Sequence, residues 1–186
     1  MRRIFIVLAI VASLLGGVAA WSAIFAGADS GVTAVVGGLH RSVGDCFYLP
    51  DGTQTFCSGI NLDINIDVHG SGSGPATGTF LSGTDGGTNA SRTRITCMTV
   101  VGNRAVVGGI ITSDTIHPEA VGDEMLFFVI DNGGPGSAPL DKMSAREIYT
   151  PDQFTPGFPS NCGSPDATTG GYADVHAGDL SIHGGL

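Results

Sequence analysis

The stretch Ile60 to His69, Ile-Asn-Leu-Asp-Ile-Asn-Ile-Asp-Val-His, constrains the fold more than any other part of the chain. Large aliphatic residues alternate with Asn, Asp and His without interruption. A period of two places Ile60, Leu62, Ile64, Ile66 and Val68 on one face of a strand and the polar set on the other. A helix would scatter both sets around its circumference. One buried and one wetted face points to an antiparallel sheet, since parallel sheets are covered on both sides.

Strand signals recur on both sides of this segment. Gly44–Leu49 and Thr53–Ser58 flank a Pro-Asp-Gly turn, and Ala76–Leu81 follows the glycine-rich run Gly70–Pro75, which is expected to be irregular. Arg92–Val101 and Arg104–Thr112 flank Gly102-Asn103, a two-residue connection that suits a primed hairpin turn. Within the second arm, Gly108-Gly109 marks a bend or bulge. Glu124–Ile130 is apolar after its first residue and strand-like, Asp141–Tyr149 is a further strand, and Tyr172–His183 is the last. That makes about eight strands in series with almost no helical period, a count that suits an all-β sandwich or barrel. Short connections between neighbours favour a single antiparallel meander closed like a barrel, with a β-sandwich as the alternative.

The four cysteines are Cys46, Cys57, Cys97 and Cys162, and no two stand in Cys-x-x-Cys spacing. Three pairings exist on paper. The turn at Pro50-Asp51-Gly52 brings Cys46 and Cys57 to opposite or diagonal places on a hairpin. Cys97–Cys162 then follows and pins the Pro-rich late loop onto a core strand.

At the front, Met1-Arg2-Arg3 precedes an apolar run, Ile4–Leu15, and small residues end at Val18-Ala19-Ala20. This is the pattern of a signal peptide over residues 1–20, cut between Ala20 and Trp21. The run is shorter than the ~20 residues of a spanning helix, so no membrane segment is expected after cleavage. Residues 21–42 then read as a Gly/Ala-rich linker or loose first segment, and 43–186 as one β domain. Loss of Arg2 and Arg3 with the leader shifts the formal charge from −9 to −11. Lys142 is the only lysine, and an acidic, lysine-poor surface repels nucleic acid. Together with the paired cysteines, the leader points to a secreted protein in an oxidising environment.

Three motifs come in a fixed order: Thr96–Gly109, TCMTVVGNRAVVGG; Phe127–Gly136, FFVIDNGGPG; and Gly178-Asp179-Leu180-Ser181-Ile182-His183. This succession resembles the exported bacterial β-domains of the post-COAP type and their actinobacterial relatives. Those show a strand, a Gly-Asn turn, a strand, a Phe-rich strand ending in Asp-Asn-Gly-x-Pro-Gly, and a closing Gly-Asp/Asn-hydrophobic-x-Ile/Val-His. The likeness covers about Asp67 to the C-terminus and leaves the cysteine hairpin outside. It implies a secreted β-structured module, often appended to larger surface or repeat proteins, and it carries no catalytic residue across.

Chemistry-bearing residues are sparse. Asp131 and Asn132, in a turn with Gly133, Gly134, Pro135 and Gly136, offer oxygens to calcium. The spacing is not that of an EF-hand loop, and the same residues serve a tight turn without any metal. No other cofactor is suggested. The polar ladder Asn61, Asp63, Asn65, Asp67, His69 suits a solvated sheet face, with Arg92 or Arg94 as natural cross-strand partners for its aspartates. Asn89-Ala90-Ser91 is a formal glycosylation sequon. Neither His-Glu-x-x-His nor Gly-x-Ser-x-Gly occurs. His176 and His183 fall on opposite faces of a continuous last strand. The favoured function is a non-catalytic module that displays loops 113–123, 131–139 and 150–171 to an extracellular protein or glycan. A small secreted hydrolase using Asp123, Glu124 or Asp131 is a second possibility. A barrel carrying a small apolar ligand is a third.

Overall fold

The structure, a computed structural model, describes residues 33–42, 44–59, 61–84, 90–134 and 138–183. The leader with its Ala20–Trp21 cleavage point, Ile60, the Asn89 sequon and Pro135-Gly136 lie outside the described residues. The strands are β1 (Thr33–Arg41), β2 (Cys46–Tyr48), β3 (Gln54–Cys57), β4 (Leu62–Gly70), β5 (Ser73–Gly83) and β6 (Ala90–Val101). They continue with β7 (Arg104–Asp114), β8 (Glu124–Ile130), β9 (Lys142–Ser144), β10 (Glu147–Tyr149), β11 (Tyr172–Asp174) and β12 (Ala177–His183). Two short 3-10 turns, Pro118–Ala120 and Pro151–Gln153, are the other regular elements among the described residues. All pairings are antiparallel, in the order β12-β1-β4-β5-β6-β7-β8-β9-β11-β2-β3, with β10 also on β8.

The alternation in β4 does what its sequence dictates. Ile64, Ile66 and Val68 are buried, while Asp63, Asn65, Asp67 and His69 are exposed. The aspartates find histidines and not arginines: Asp63 meets His40 Nδ1 and Asp67 meets His69 Nε2, both at 2.8 Å. Strand β5 lies between β4 and β6, which keeps Arg92 and Arg94 one strand too far away.

Between β11 and β12 lie only Val175 and His176, about 10 Å of chain at full extension. Yet β11 pairs with β9 and β2, while β12 pairs with β1 at the other end of the order. The sheet therefore curls until β12 comes beside β8 and β9. The ladder stays open there, because β9 gives its outer edge to β11. The outward N–H groups of β12 go to side chains: Leu180 donates to Asp141 Oδ2 (3.3 Å) and Ile182 to Asp131 Oδ2 (2.8 Å). The closed barrel expected from the sequence is thus corrected to an open, curled sheet whose halves face one another, in keeping with the sandwich alternative. Phe80 on β5 and Phe127 on β8 touch across that core, with ring centroids 4.9 Å apart.

A second core lies outside the curl. Strands β7 and β8 are buried on both faces, which is why their sequences show no alternation. Val107, Met125, Phe127 and Val129 point into the main core. Cys97, Val106, Leu126, Phe128 and Cys162 form the outer cluster, with Tyr149, Phe158 and Tyr172 against it. Residues 150–171 supply much of the cover, held by the Cys97–Cys162 disulfide, and Cys46–Cys57 closes the β2–β3 hairpin. A Cβ on Gly108 would lie 2.6 Å from Cys162 Sγ and 2.9 Å from Cys97 Sγ, so this glycine makes room for the bridge.

Three segments depart from the sequence expectations. Residues 33–41, expected to be loose, form β1, flanked along its length by β4 and β12. Its Gly37 is obligatory, since a Cβ there would meet Asp179 O at 2.5 Å. Strand β5 starts inside the glycine-rich run, with Gly74 and Pro75 opposite Met98 and Cys97, and absorbs the irregularity as a bulge before Gly78. The final segment breaks at Val175-His176 into two strands with different neighbours, so His176 and His183 do not share one strand.

Candidate functional site

Two buried glutamates fix the loop 150–171. Glu147, 8% exposed, sits on β10 opposite Leu126. Its Oε1 accepts the Thr168 hydroxyl (2.6 Å) and the Thr169 and Gly170 amides (2.7 and 2.9 Å). Its Oε2 accepts the Tyr149 hydroxyl at 2.8 Å. Burial and then this carboxylate push the Tyr149 phenol up to about 12. Glu124 is fully buried, and its Oε2 accepts the Thr155 amide at 2.7 Å. With the disulfide at Cys162 and an Arg104–Asp166 ion pair, a loop without strands is tied down along most of its length.

Beside this loop lies a cleft of about 560 Å³ under the β2–β3 hairpin, lined among others by Tyr48, Arg104, Lys142, Tyr172, Asp174 and His176. Tyr48 is 44% exposed. Tyr172 donates its hydroxyl to Pro165 O at 3.1 Å, so the cleft wall and the loop form one surface. Burial raises the Tyr172 phenol, and Arg104 opposes that only in part. Lys142 Nζ is paired with Asp174 at 2.7 Å. Arg104 and Lys142 are thus each paired in place, and the rest of the lining mixes the Tyr48 and Tyr172 rings with Leu49, Pro50, Ile130, Asp45 and His176.

The residues singled out from sequence are dispersed. Asp131 Oδ1 accepts the Gly133 amide at 2.8 Å and Oδ2 the Ile182 amide. Asn132 donates its amide to Asp141 Oδ1 and its side chain to Leu140 O, each at 2.7 Å, while its Oδ1 accepts from Asn103 at 3.2 Å. The oxygens that sequence offered to calcium thus face N–H donors, and the turn is the clasp between β8 and the edge of β12. No group of three or more His, Cys, Asp or Glu side chains is arranged to hold a metal among the described residues. Asp123 hydrogen-bonds through its backbone around the 3-10 turn, to Ile111 and Ala120, and the three acids do not form a shared open site with Glu124 sealed in the interior.

In the loop 113–123, Asp114 Oδ1 accepts the Ile116 and His117 amides at 3.0 and 2.8 Å, and Oδ2 meets Arg146 Nη1 at 3.3 Å. Burial pushes this carboxyl up, but the amides and Arg146 more than offset it and hold it below the usual range. Sequence reasoning missed Asp141, Glu147 and Asp114 altogether. The only signal was an acid beside or within an apolar strand segment, where a carboxylate needs partners to be tolerated.

The two disulfides fit an oxidising environment, and no helix long and apolar enough to cross a membrane occurs among the described residues. Comparison with protein-family models, with curated proteins and with solved structures finds no match, so the assignment of function rests on the residues themselves.

Proposed function

We propose that the chain is an exported, non-catalytic β module that recognises an extracellular protein or glycan through loop 150–171 and the tyrosine-lined cleft beside it. The observation that carries this is the fixing of that loop. Its amides at Thr155, Thr169 and Gly170 end on buried glutamates, and its middle is disulfide-linked to β6. A surface ordered before its partner arrives loses less conformational entropy on binding, which is the use of preorganisation. Both oxygens of Glu147 and Oε2 of Glu124 are taken by the protein's own N–H and O–H donors. Glu124 Oε1 is buried without a partner among the described residues, so these acids hold shape and are cut off from a substrate.

The test is a cross-linking capture from extracellular and cell-wall extracts with a photoreactive group at the exposed Ala167 of the residue 21–186 chain. A partner competed by unlabelled wild-type chain, but not by Cys162→Ser, supports the proposal. Equal competition by both chains, or turnover of a hydrolase substrate that disappears in Glu124→Gln, overturns it.

A further inference from the structure

One end of the curled sheet is an open mouth, distinct from the cleft and loop described above. It holds a cavity of about 310 Å³ whose floor is core: Ile64, Phe80 and Phe127. Around its lip stand Phe56, Ile116 and Ile148, at 38, 42 and 38% exposure among the few large apolar side chains left in solvent. Facing into the same cavity are Arg41, from the end of β1, and Arg146, from the break between β9 and β10. An acidic chain with eight basic residues in all has placed two of them in an apolar recess.

The two guanidinium groups are not equivalent. Arg146 has Asp114 at 3.3 Å, a carboxylate already shared with two backbone amides. Arg41 is 8% exposed and lies over the Phe47 ring at 5.0 Å. Its Nε is buried with no hydrogen-bond partner among the described residues. Burial lowers its pKa, and the neighbouring Arg146 lowers it further. Asp45 opposes them, although Asp45 Oδ2 also accepts the Ser42 amide at 2.7 Å. A buried, under-compensated guanidinium costs stability, and a bound anion is the direct way to recover it. Its planar fork suits the two oxygens of a carboxylate.

We propose that this mouth binds a small amphiphilic anion: a carboxylate seated on Arg41 and Arg146, with a short apolar body against Phe56, Ile116 and Ile148, the lip side chains that stand in solvent. The volume, at the low end for small-molecule sites, sets the limit on the body. Charge and apolar contact are both required, because the floor offers nothing to a bare inorganic anion and the arginines reject an uncharged chain end. The site does not touch loop 150–171, so its failure leaves the recognition surface unaffected and the reverse also holds.

Calorimetric titration of the residue 21–186 chain with octanoate, 1-octanol and inorganic phosphate tests this. Octanoate is expected to bind and to raise the melting temperature, with 1-octanol and phosphate each at least tenfold weaker. Arg41→Met is expected to fold at least as stably as the parent and to bind octanoate about tenfold to a hundredfold more weakly, the loss of a charge-assisted bond. Ile116→Asp changes an exposed lip residue, leaves the melting temperature in place and weakens octanoate by repulsion, so it carries the test should Arg41→Met fail to fold. Equal binding of 1-octanol, equal binding of phosphate, no binding of octanoate, or undiminished octanoate binding by the variants each overturns the proposal.

Discussion

Strand β12 ends the ladder on one side with Leu180 fully buried at its centre, whereas β3 ends it on the other with every residue exposed. Both present a row of N–H and C=O groups without a neighbouring strand, the common hazard of an open sheet. At β12 the row faces protein, and Asp131 and Asp141 supply acceptors that no ladder provides. At β3 the row faces water, which solvates it. There the molecule uses a short strand, a disulfide to β2 at Cys46–Cys57, the Phe56 ring stacked on Phe47, and the Thr55 hydroxyl, which reaches Gly170 O at 2.7 Å and Phe47 O at 3.2 Å. An inward edge is a problem of polar satisfaction, and an outward edge is one of conformational entropy.

The contrast can be broken by mutation. Asp141→Ala orphans the Leu180 and Asn132 amides together, and urea unfolding should show a loss of about 3–4 kcal/mol. Cys46→Ser with Cys57→Ser opens a ring with a sequence separation of 11, and chain entropy puts the loss at about 2–3 kcal/mol. That loss should be confined to β2 and β3, so amide exchange in β12 stays unchanged. Asp131→Ala removes one β12 acceptor and the exposed Gly133 contact, for about 1–2 kcal/mol. A loss in the cysteine double variant well above that of Asp141→Ala would reverse the ranking of the two edges.

Acid provides the smallest effect. Asp114, like the β12 aspartates, feeds backbone amides, and its carboxyl is held below the usual range. A lowered folded-state value means that its stabilisation is present above the ordinary aspartate range, about 4, and is lost as pH falls through the folded value. The stability gap between wild type and Asp114→Asn should therefore be constant near neutrality and narrow below about pH 4. The gap between wild type and the Cys46/Cys57 double variant should not narrow over that range, since a disulfide does not titrate.

Local patterns made much of the fold legible. The Ile60–His69 alternation gave β4, Gly102-Asn103 gave the β6–β7 hairpin, and the Pro50-Asp51-Gly52 turn gave both disulfides. What escaped was set by distant neighbours. Strand β1 hid because Gly37 is demanded by the backbone of β12 and not by any local turn. Tyr172–His183 reads as one strand because nothing in it shows that β11 and β12 lie at separate places in the ladder. Asp131 announced a turn, but its acceptor role toward Ile182 depends on the curl of the whole sheet. Arg41 and Arg146 share a cavity only because β1 and the β9–β10 break reach the same mouth.

Buried carboxylates, in place of further ladder bonds, close the sheet and fix its long loop. Residue-resolved amide hydrogen exchange at neutral pH tests it most directly. The amides of Leu180, Ile182, Thr155, Thr169 and Gly170 are predicted to exchange orders of magnitude more slowly than free peptide, approaching the β7 amides. Exchange of these five at free-peptide rates, with β7 still protected, would contradict it.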